Sequence, residues 1–180
     1  MTRSELEHLI RSAGAIAGDT EIVVIGSQSV LGQFPQAPVA LLASMEADVF
    51  PLNRPERSDL IDGSIGEGSK FHEQFGYFAQ GVSENTATLP RGWRSRLIAV
   101  SNPNTRGITG LCLEAHDLAI SKYVAGREKD LEFNRSMATH GLTKRVTLLD
   151  RLNDTTVSAQ LKALIGQRIQ RHFASAAKGG

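Results

Sequence analysis

The chain has 180 residues, enough for one domain with a full core or for a domain with a helical extension, and its 41% hydrophobic and 22% charged content is ordinary for a globular protein. Twenty Lys and Arg against 19 Asp and Glu leave a formal charge of +1, so the distribution of charge says more than the sum: residues 39–84 are acidic, whereas residues 91–106 hold Arg91, Arg94, Arg96 and Arg106 and no acid. A single cysteine, Cys112, excludes an internal disulfide and a cysteine-built zinc cluster and makes a reducing cytoplasm the expected location. No apolar signal core follows Met1 and no stretch approaches a membrane span, so neither export nor a membrane partner is expected.

Ser4 with Glu7 three positions on reads as a capping box, and Leu6, Leu9, Ile10 and Ala13 recur at helical spacing up to Gly18. Four consecutive apolar residues, Ile22 through Ile25, predict a strand buried on both faces. It runs into Gly26-Ser27 and a short helix over residues 27–31. Residues 45–50 alternate, with Met45, Ala47 and Val49 on one face and Glu46, Asp48 and Phe50 on the other. Pro55 starts a helix that Gly63, Gly66 and Gly68 break, and a second short helix is expected around residues 70–74. Strands follow over residues 75–82, 96–100 and 111–113, with a turn at Pro90-Arg91-Gly92-Trp93. From Glu114 the pattern is helical: residues 117–124, 127–139, 143–152, and a last helix capped by Asp154 or Thr155, ending in a frayed tail over residues 174–180. The boundary between a mixed α/β part (1–113) and a helical part (114–180) is expected near Glu114.

Three groups of residues carry candidate chemistry. Glu46 and Asp48, at i and i+2 of a strand, project to one face about 7 Å apart along it. Oxygen ligands so placed suit Mg²⁺, which takes one or two carboxylates and leaves positions for substrate phosphates and water. Gly26-Ser27, where a strand enters a helix, offers close backbone approach to phosphate, or a plain serine N-cap. Lys122 lies at the edge of an apolar helix face, where a lysine either neutralises a phosphate or snorkels to water. Arg127, Lys129 and Asp130 open the next helix, and Asp130 there suits the helix dipole without further function. Trp93 among Arg91, Arg94 and Arg96 offers stacking and pairing to a nucleic-acid strand. Arg168, Arg171, His172 and Lys178 make a basic C-terminal end. His8, His72, His116, His140 and His172 show no metal-ligand spacing.

The order Gly-Ser, two strand carboxylates, then a helical Lys…Arg-x-Lys-Asp resembles the nucleotidyltransferase superfamily with the DNA-polymerase-β-like core. More narrowly it is similar to the AbiEii-type nucleotidyltransferases, some of which serve as toxins in type IV toxin–antitoxin systems. Within these it resembles an uncharacterised bacterial branch whose motifs stand here at Ile25-Gly26-Ser27-Gln28, at Ser44 to Val49, at Phe75 to Val82 and at His116 to Asp130. The resemblance spans roughly residues 6–139. It implies an α+β fold: a nucleotidyltransferase-like mixed β-sheet with flanking helices over 1–113, and a C-terminal helical region over 114–180 packed on that core. It implies transfer of a nucleoside monophosphate from an NTP, with Mg²⁺ (or Mn²⁺), to an acceptor such as tRNA, another RNA or a protein, and an antitoxin protein as candidate partner. Glu46 and Asp48 would hold the metal and, with Lys122, form the catalytic set. Gly26, Ser27, Gln28, Lys122, Arg127, Lys129 and Asp130 would bind the nucleotide. Two departures stand: the first acid is a glutamate, and the later strand at residues 96–100 carries no third acid, the nearest being Glu84, Glu114 and Asp117. An inactive member of the same fold, binding nucleotide, RNA or a protein, is the alternative.

Overall fold

A computed structural model of the chain describes residues 1–176. Helix α1 (Arg3–Ala17) begins on a capping box two residues earlier than expected: Thr2 is the N-cap, its hydroxyl accepts from the Glu5 N–H, and the Glu5 carboxylate accepts from the Thr2 N–H. Ser4 and Glu7 do not form that box. Glu7 is instead buried, accepting from Arg3 Nε at 2.9 Å, Asn102 Nδ2 at 2.8 Å and Asn104 Nδ2 at 2.9 Å, and so fastens a distant loop to the helix. Gly18 ends α1 in the left-handed conformation (φ 62°) that glycine adopts without a Cβ penalty.

Strand β1 (Glu21–Val24) follows, then a 3-10 turn (Ser27–Ser29) and the four-residue helix α2 (Val30–Gln33). Strand β2 is Glu46–Pro51. Pro55 opens a 3-10 turn before helix α3 (Ser58–Ile65), which runs through Gly63 and stops at Gly66. Helix α4 (Lys70–Phe75) leads to β3 (Phe78–Gly81). Strands β4 (Ile98–Val100) and β5 (Thr109–Cys112) complete a five-stranded sheet in the order β3-β2-β1-β5-β4. Arg96 is not in β4 but closes a 3-10 turn at Trp93–Arg96. The pairs β1–β2 and β4–β5 are antiparallel, and β1–β5 and β2–β3 are parallel. This is the mixed sheet with flanking helices of an α+β protein.

Helices α1 and α3 lie on one face of the sheet, and the glycines show how closely. A Cβ at Gly110 would meet the Ile10 side chain, and one at Gly81 would meet the Ser58 carbonyl. Gly110 pairs with Ile22 and Gly81 with Val49, so the covered face is that of Ile22, Val24, Ala47 and Val49, all fully buried. By strand alternation Glu46, Asp48 and Phe50 point to the opposite face.

The helical region contains α5 (Ala115–Ala125), α6 (Glu128–Thr139), α7 (Arg145–Asn153) and α8 (Ala159–Ala176). Ser158, not Asp154 or Thr155, caps α8: its Oγ accepts from the Leu161 N–H at 3.2 Å. The expected fraying at Ala174 is not seen, since α8 continues to Ala176; residues 177–180 lie outside the described residues. By contacts the chain forms two compact units, Met1–Thr86 with Leu97–Glu114, and Ala87–Arg96 with Ala115 onward. The core of the second is Ala119, Ile120, Tyr123, Leu148, Leu152, Ile165 and Ile169. Among the described residues no helix is long and apolar enough to cross a membrane.

Burial alone pushes the Glu7 carboxyl upward, but its bonds to Asn104, Asn102 and Arg3 outweigh that and hold it below the usual glutamate range. A depressed carboxylate contributes stability that is present above its unfolded pKa and lost as pH falls through the folded value. Glu7→Gln is therefore expected to cost about 1.5 kcal/mol at pH 7, the lower end for a bond to a charged group. Urea unfolding should show that difference shrinking toward zero as the wild-type carboxyl protonates, below about pH 4.

Candidate active site

The first unit brings Gly26, Ser27 and Asp48 together where β1 ends against β2. The Ile25 N–H donates to the Asp48 carbonyl at 3.0 Å, which sets residue 48 beside residue 25. A Cβ built on Gly26 would fall on Asp48 Oδ2. Gly26 itself is extended (φ −80°, ψ −174°), a conformation open to any residue, so it is the room for the Asp48 carboxylate that requires glycine here. Expecting the glycine for backbone approach to a ligand missed this nearer cause.

Ser27 does not cap the following turn: Gly26 holds the N-cap position and no side chain closes it. One 3-10 turn and a four-residue helix are also too short for a helix dipole of consequence. Gln28 and Ser29 in that turn are fully buried, and neither amide atom of Gln28 nor the Ser29 hydroxyl has a hydrogen-bond partner. Leaving such groups unmade costs about 1–3 kcal/mol each.

Glu46 and Asp48 are half-buried on the same face of β2, and parallel pairing sets Phe78 level with Glu46 and Gln80 level with Asp48. A small acidic cavity of about 200 Å³ is lined by Glu46, Asp62, Glu67, Phe78 and Gln80. The superfamily pattern leads one to expect a third acid on the later strand at residues 96–100, which the structure shows as β4. That strand is three places from β2, at the far edge of the sheet, and the neighbours of β2 are β1 and β3. There the side chain level with Asp48 is an amide, Gln80, a residue the sequence reading did not single out although it falls inside the quoted Phe75 to Val82 motif. Among the described residues no three Asp, Glu, His or Cys gather as a ready-made metal cage. Two carboxylates and an amide, with no thiolate or imidazole, are nonetheless the donors of a hard cation that completes its shell with phosphate and water. The residues present fit Mg²⁺ or Mn²⁺ in that partial sense.

The second unit holds the charged residues of the His116 to Asp130 motif, and most of them serve one another. Asp130 is buried and accepts from Lys122 Nζ at 3.1 Å and from Arg127 Nε at 2.6 Å. Burial pushes its carboxyl upward, but Arg127 and Lys122 together hold it below the usual aspartate range. The Lys122 ammonium also sits 4.5 Å from the centre of the Phe133 ring. It is thus held inside the unit and does not snorkel to water. Lys129 is exposed. Asp117 is fully buried between Arg96, which donates from Nε at 2.8 Å and Nη2 at 3.0 Å, and Arg151, whose Nε lies 3.2 Å away. His116 Nε2 accepts from the Lys144 N–H at 2.9 Å. Arg94 lies over Trp93, 5.5 Å from the ring centre, and Arg91 lies 3.8 Å from Asp154, so of this basic stretch Arg96 is committed to a buried acid. Cys112 is fully buried, its thiol pushed up to about 12 by desolvation, and is no nucleophile.

A mixed sheet presenting two carboxylates beside a Gly-Ser turn is what the resemblance to the nucleotidyltransferase superfamily implies. The chain belongs to a family described as a nucleotidyltransferase of unknown function (DUF6036), whose model matches residues 4–163. No curated protein and no solved structure matches it.

The Gly26–Asp48 contact has a direct test. Gly26→Ala should cost about 1–3 kcal/mol as overpacking, by chemical denaturation. In an Asp48→Ala background, where the carboxylate is gone, most of that cost should disappear.

Proposed function

We propose that this protein transfers a nucleoside monophosphate from an NTP to an acceptor hydroxyl, the new O–P bond forming at the α-phosphate as the α–β anhydride breaks and pyrophosphate leaves, the hydroxyl proton passing to water, with Glu46 and Asp48 holding the divalent cation. The observation that carries this reading is the placement of both carboxylates on one strand face, with the Asp48 carboxylate seated against Gly26 at the start of the Ser27–Ser29 turn. Mg²⁺ or Mn²⁺, when bound, supplies charge neutralisation at the triphosphate and activates the attacking oxygen. Glu46 and Asp48 would hold that ion from the face of β2. The Ser27 hydroxyl is the polar group that the turn offers the nucleotide, and a role for the buried Gln28 rests on the motif it shares. A nucleotide role for Lys122, Arg127, Lys129 and Asp130 is a separate element of the proposal and rests on the motif they share; in it Asp130 positions Lys122 and Arg127.

The finer reading is an AbiEii-like enzyme of bacterial cytoplasm acting on RNA such as tRNA, or on a protein, as the toxin of a pair with a separate antitoxin protein. It rests on the motif resemblance. A second reading, a fold that binds nucleotide without turnover, is favoured by one observation: the residue level with Asp48 on β3 is a glutamine, not a third acid.

The test is incubation with labelled NTPs, Mg²⁺ or Mn²⁺ and total tRNA, beside Glu46→Gln/Asp48→Asn. The proposal expects label transfer by the wild type and a fall of at least about 100-fold in the double variant, the scale of losing an electrostatic transition-state contact. Equal transfer by both proteins contradicts it. Nucleotide binding without transfer by the wild type supports the second reading.

A further inference from the structure

Helix α8 carries Lys162, Arg168, Arg171 and His172 over 18 residues without one acid, and no Asp or Glu follows Asp154 in the chain. Arg168 and Arg171, three apart, share a side of the helix. Its apolar residues Ile165 and Ile169 are buried in the core of the second unit, so the arginines flank that core. Helix α6 adds Arg135, 59% exposed, whose near neighbour is the equally exposed Glu132 at 3.0 Å. Among the described residues no carboxylate pairs with Arg168 or Arg171. Arg168 reaches back to the turn between α5 and α6: a Cβ on Gly126 would stand 3.1 Å from its Nη1, so the glycine there leaves room for the guanidinium.

Helices α6 and α8 pack against each other, and His172 lies one helical turn beyond Arg168. Burial first, and then Arg135, Arg171 and Arg168, depress the proton affinity of its ring, and its Nδ1 is bonded to the Tyr123 hydroxyl at 2.9 Å. Cations brought together from two helices, with Glu132 as the one acid paired among them, repel one another. Such an arrangement is relieved by a polyanion.

We propose that this α6–α8 face binds the sugar–phosphate backbone of an RNA strand through Arg135, Arg168 and Arg171. A lipid surface fits less well, because a membrane-bound helix needs an apolar face to bury and that of α8 is already inside the core. One leucine, Leu164, is 39% exposed a turn before Arg168, which is too little for the apolar centre of a protein interface. Guanidiniums with little apolar surface around them match phosphates, whose binding is driven by release of condensed counterions. The inference is independent of nucleotidyl transfer: it holds for an enzyme acting on RNA and for an inactive binder alike.

The test is fluorescence anisotropy with a labelled single-stranded RNA between about 50 and 200 mM KCl. Neutralising three phosphates of a single strand gives a slope of log K against log salt near −2. Arg135→Gln/Arg171→Gln, which alters two exposed side chains, should retain the wild-type melting curve, weaken binding at least about 10-fold at low salt and reduce the slope by about 1.4. Lys70→Gln in the first unit should change nothing. The proposal is overturned if the wild type fails to bind RNA at 50 mM salt, or if the double variant binds with the same affinity and slope. It is equally overturned if anionic vesicles or polyglutamate hold the protein as tightly as RNA does.

Discussion

The carboxylate of Asp48 occupies the volume that any side chain at residue 26 would need, and the rest of the site depends on that one exclusion. It ties the end of β1 to the middle of β2 at a single register, reinforced by the Ile25 N–H on the Asp48 carbonyl. Because side chains alternate along a strand, a slip of one residue would turn Glu46 and Asp48 under the helices and expose Ala47 and Val49. Helices α1 and α3 resist that slip, since Ala47 and Val49 are fully buried, Gly81 admits the α3 backbone and Gly110 admits the Ile10 side chain of α1. The chemistry of the acid pair is therefore held in place by packing on the other side of the sheet.

The helical unit uses charge differently. Asp117 and Asp130 are each buried and each faces two cations, Arg96 and Arg151 in one case and Lys122 and Arg127 in the other. Desolvating such pairs costs about as much as their attraction returns, so they are better understood as fixing geometry than as adding stability. The Arg96 pair brings the segment Ala87–Arg96 into this unit, and the Asp130 cluster fixes the turn at Gly126 between α5 and α6. Charge that is satisfied internally around Asp117 and Asp130 contrasts with the guanidiniums of α8, which have no buried acid to meet.

Much of the sheet was legible in the sequence because its signals are local. Four consecutive apolar residues marked β1, alternation marked β2 and sorted Glu46 and Asp48 from Ala47 and Val49, and Gly18 marked the end of α1. What was not legible is long-range. Thr2…Glu5 and Ser4…Glu7 satisfy the same capping pattern, and the choice between them follows from Asn102 and Asn104, nearly a hundred residues on, claiming Glu7. The place to look for a third acid depends on strand order, which puts β3 and not β4 beside β2. Gly26 was recognised as special, but its reason is a side chain 22 residues away. Lys122 was placed at the edge of an apolar face, and its partner Asp130 comes into reach only once Gly126 reverses the chain.

The central claim is that the end of β1 and the acid face of β2 form the nucleotide and metal site. Its most direct test is titration of Mn²⁺ with an NTP into the isotope-labelled protein, read as paramagnetic broadening of backbone amide signals. The account predicts that the amides of Gly26, Ser27, Ala47, Asp48 and Gln80 broaden first and that Glu46→Gln/Asp48→Asn abolishes the effect. Broadening centred on other residues, or unchanged in the double variant, would contradict it.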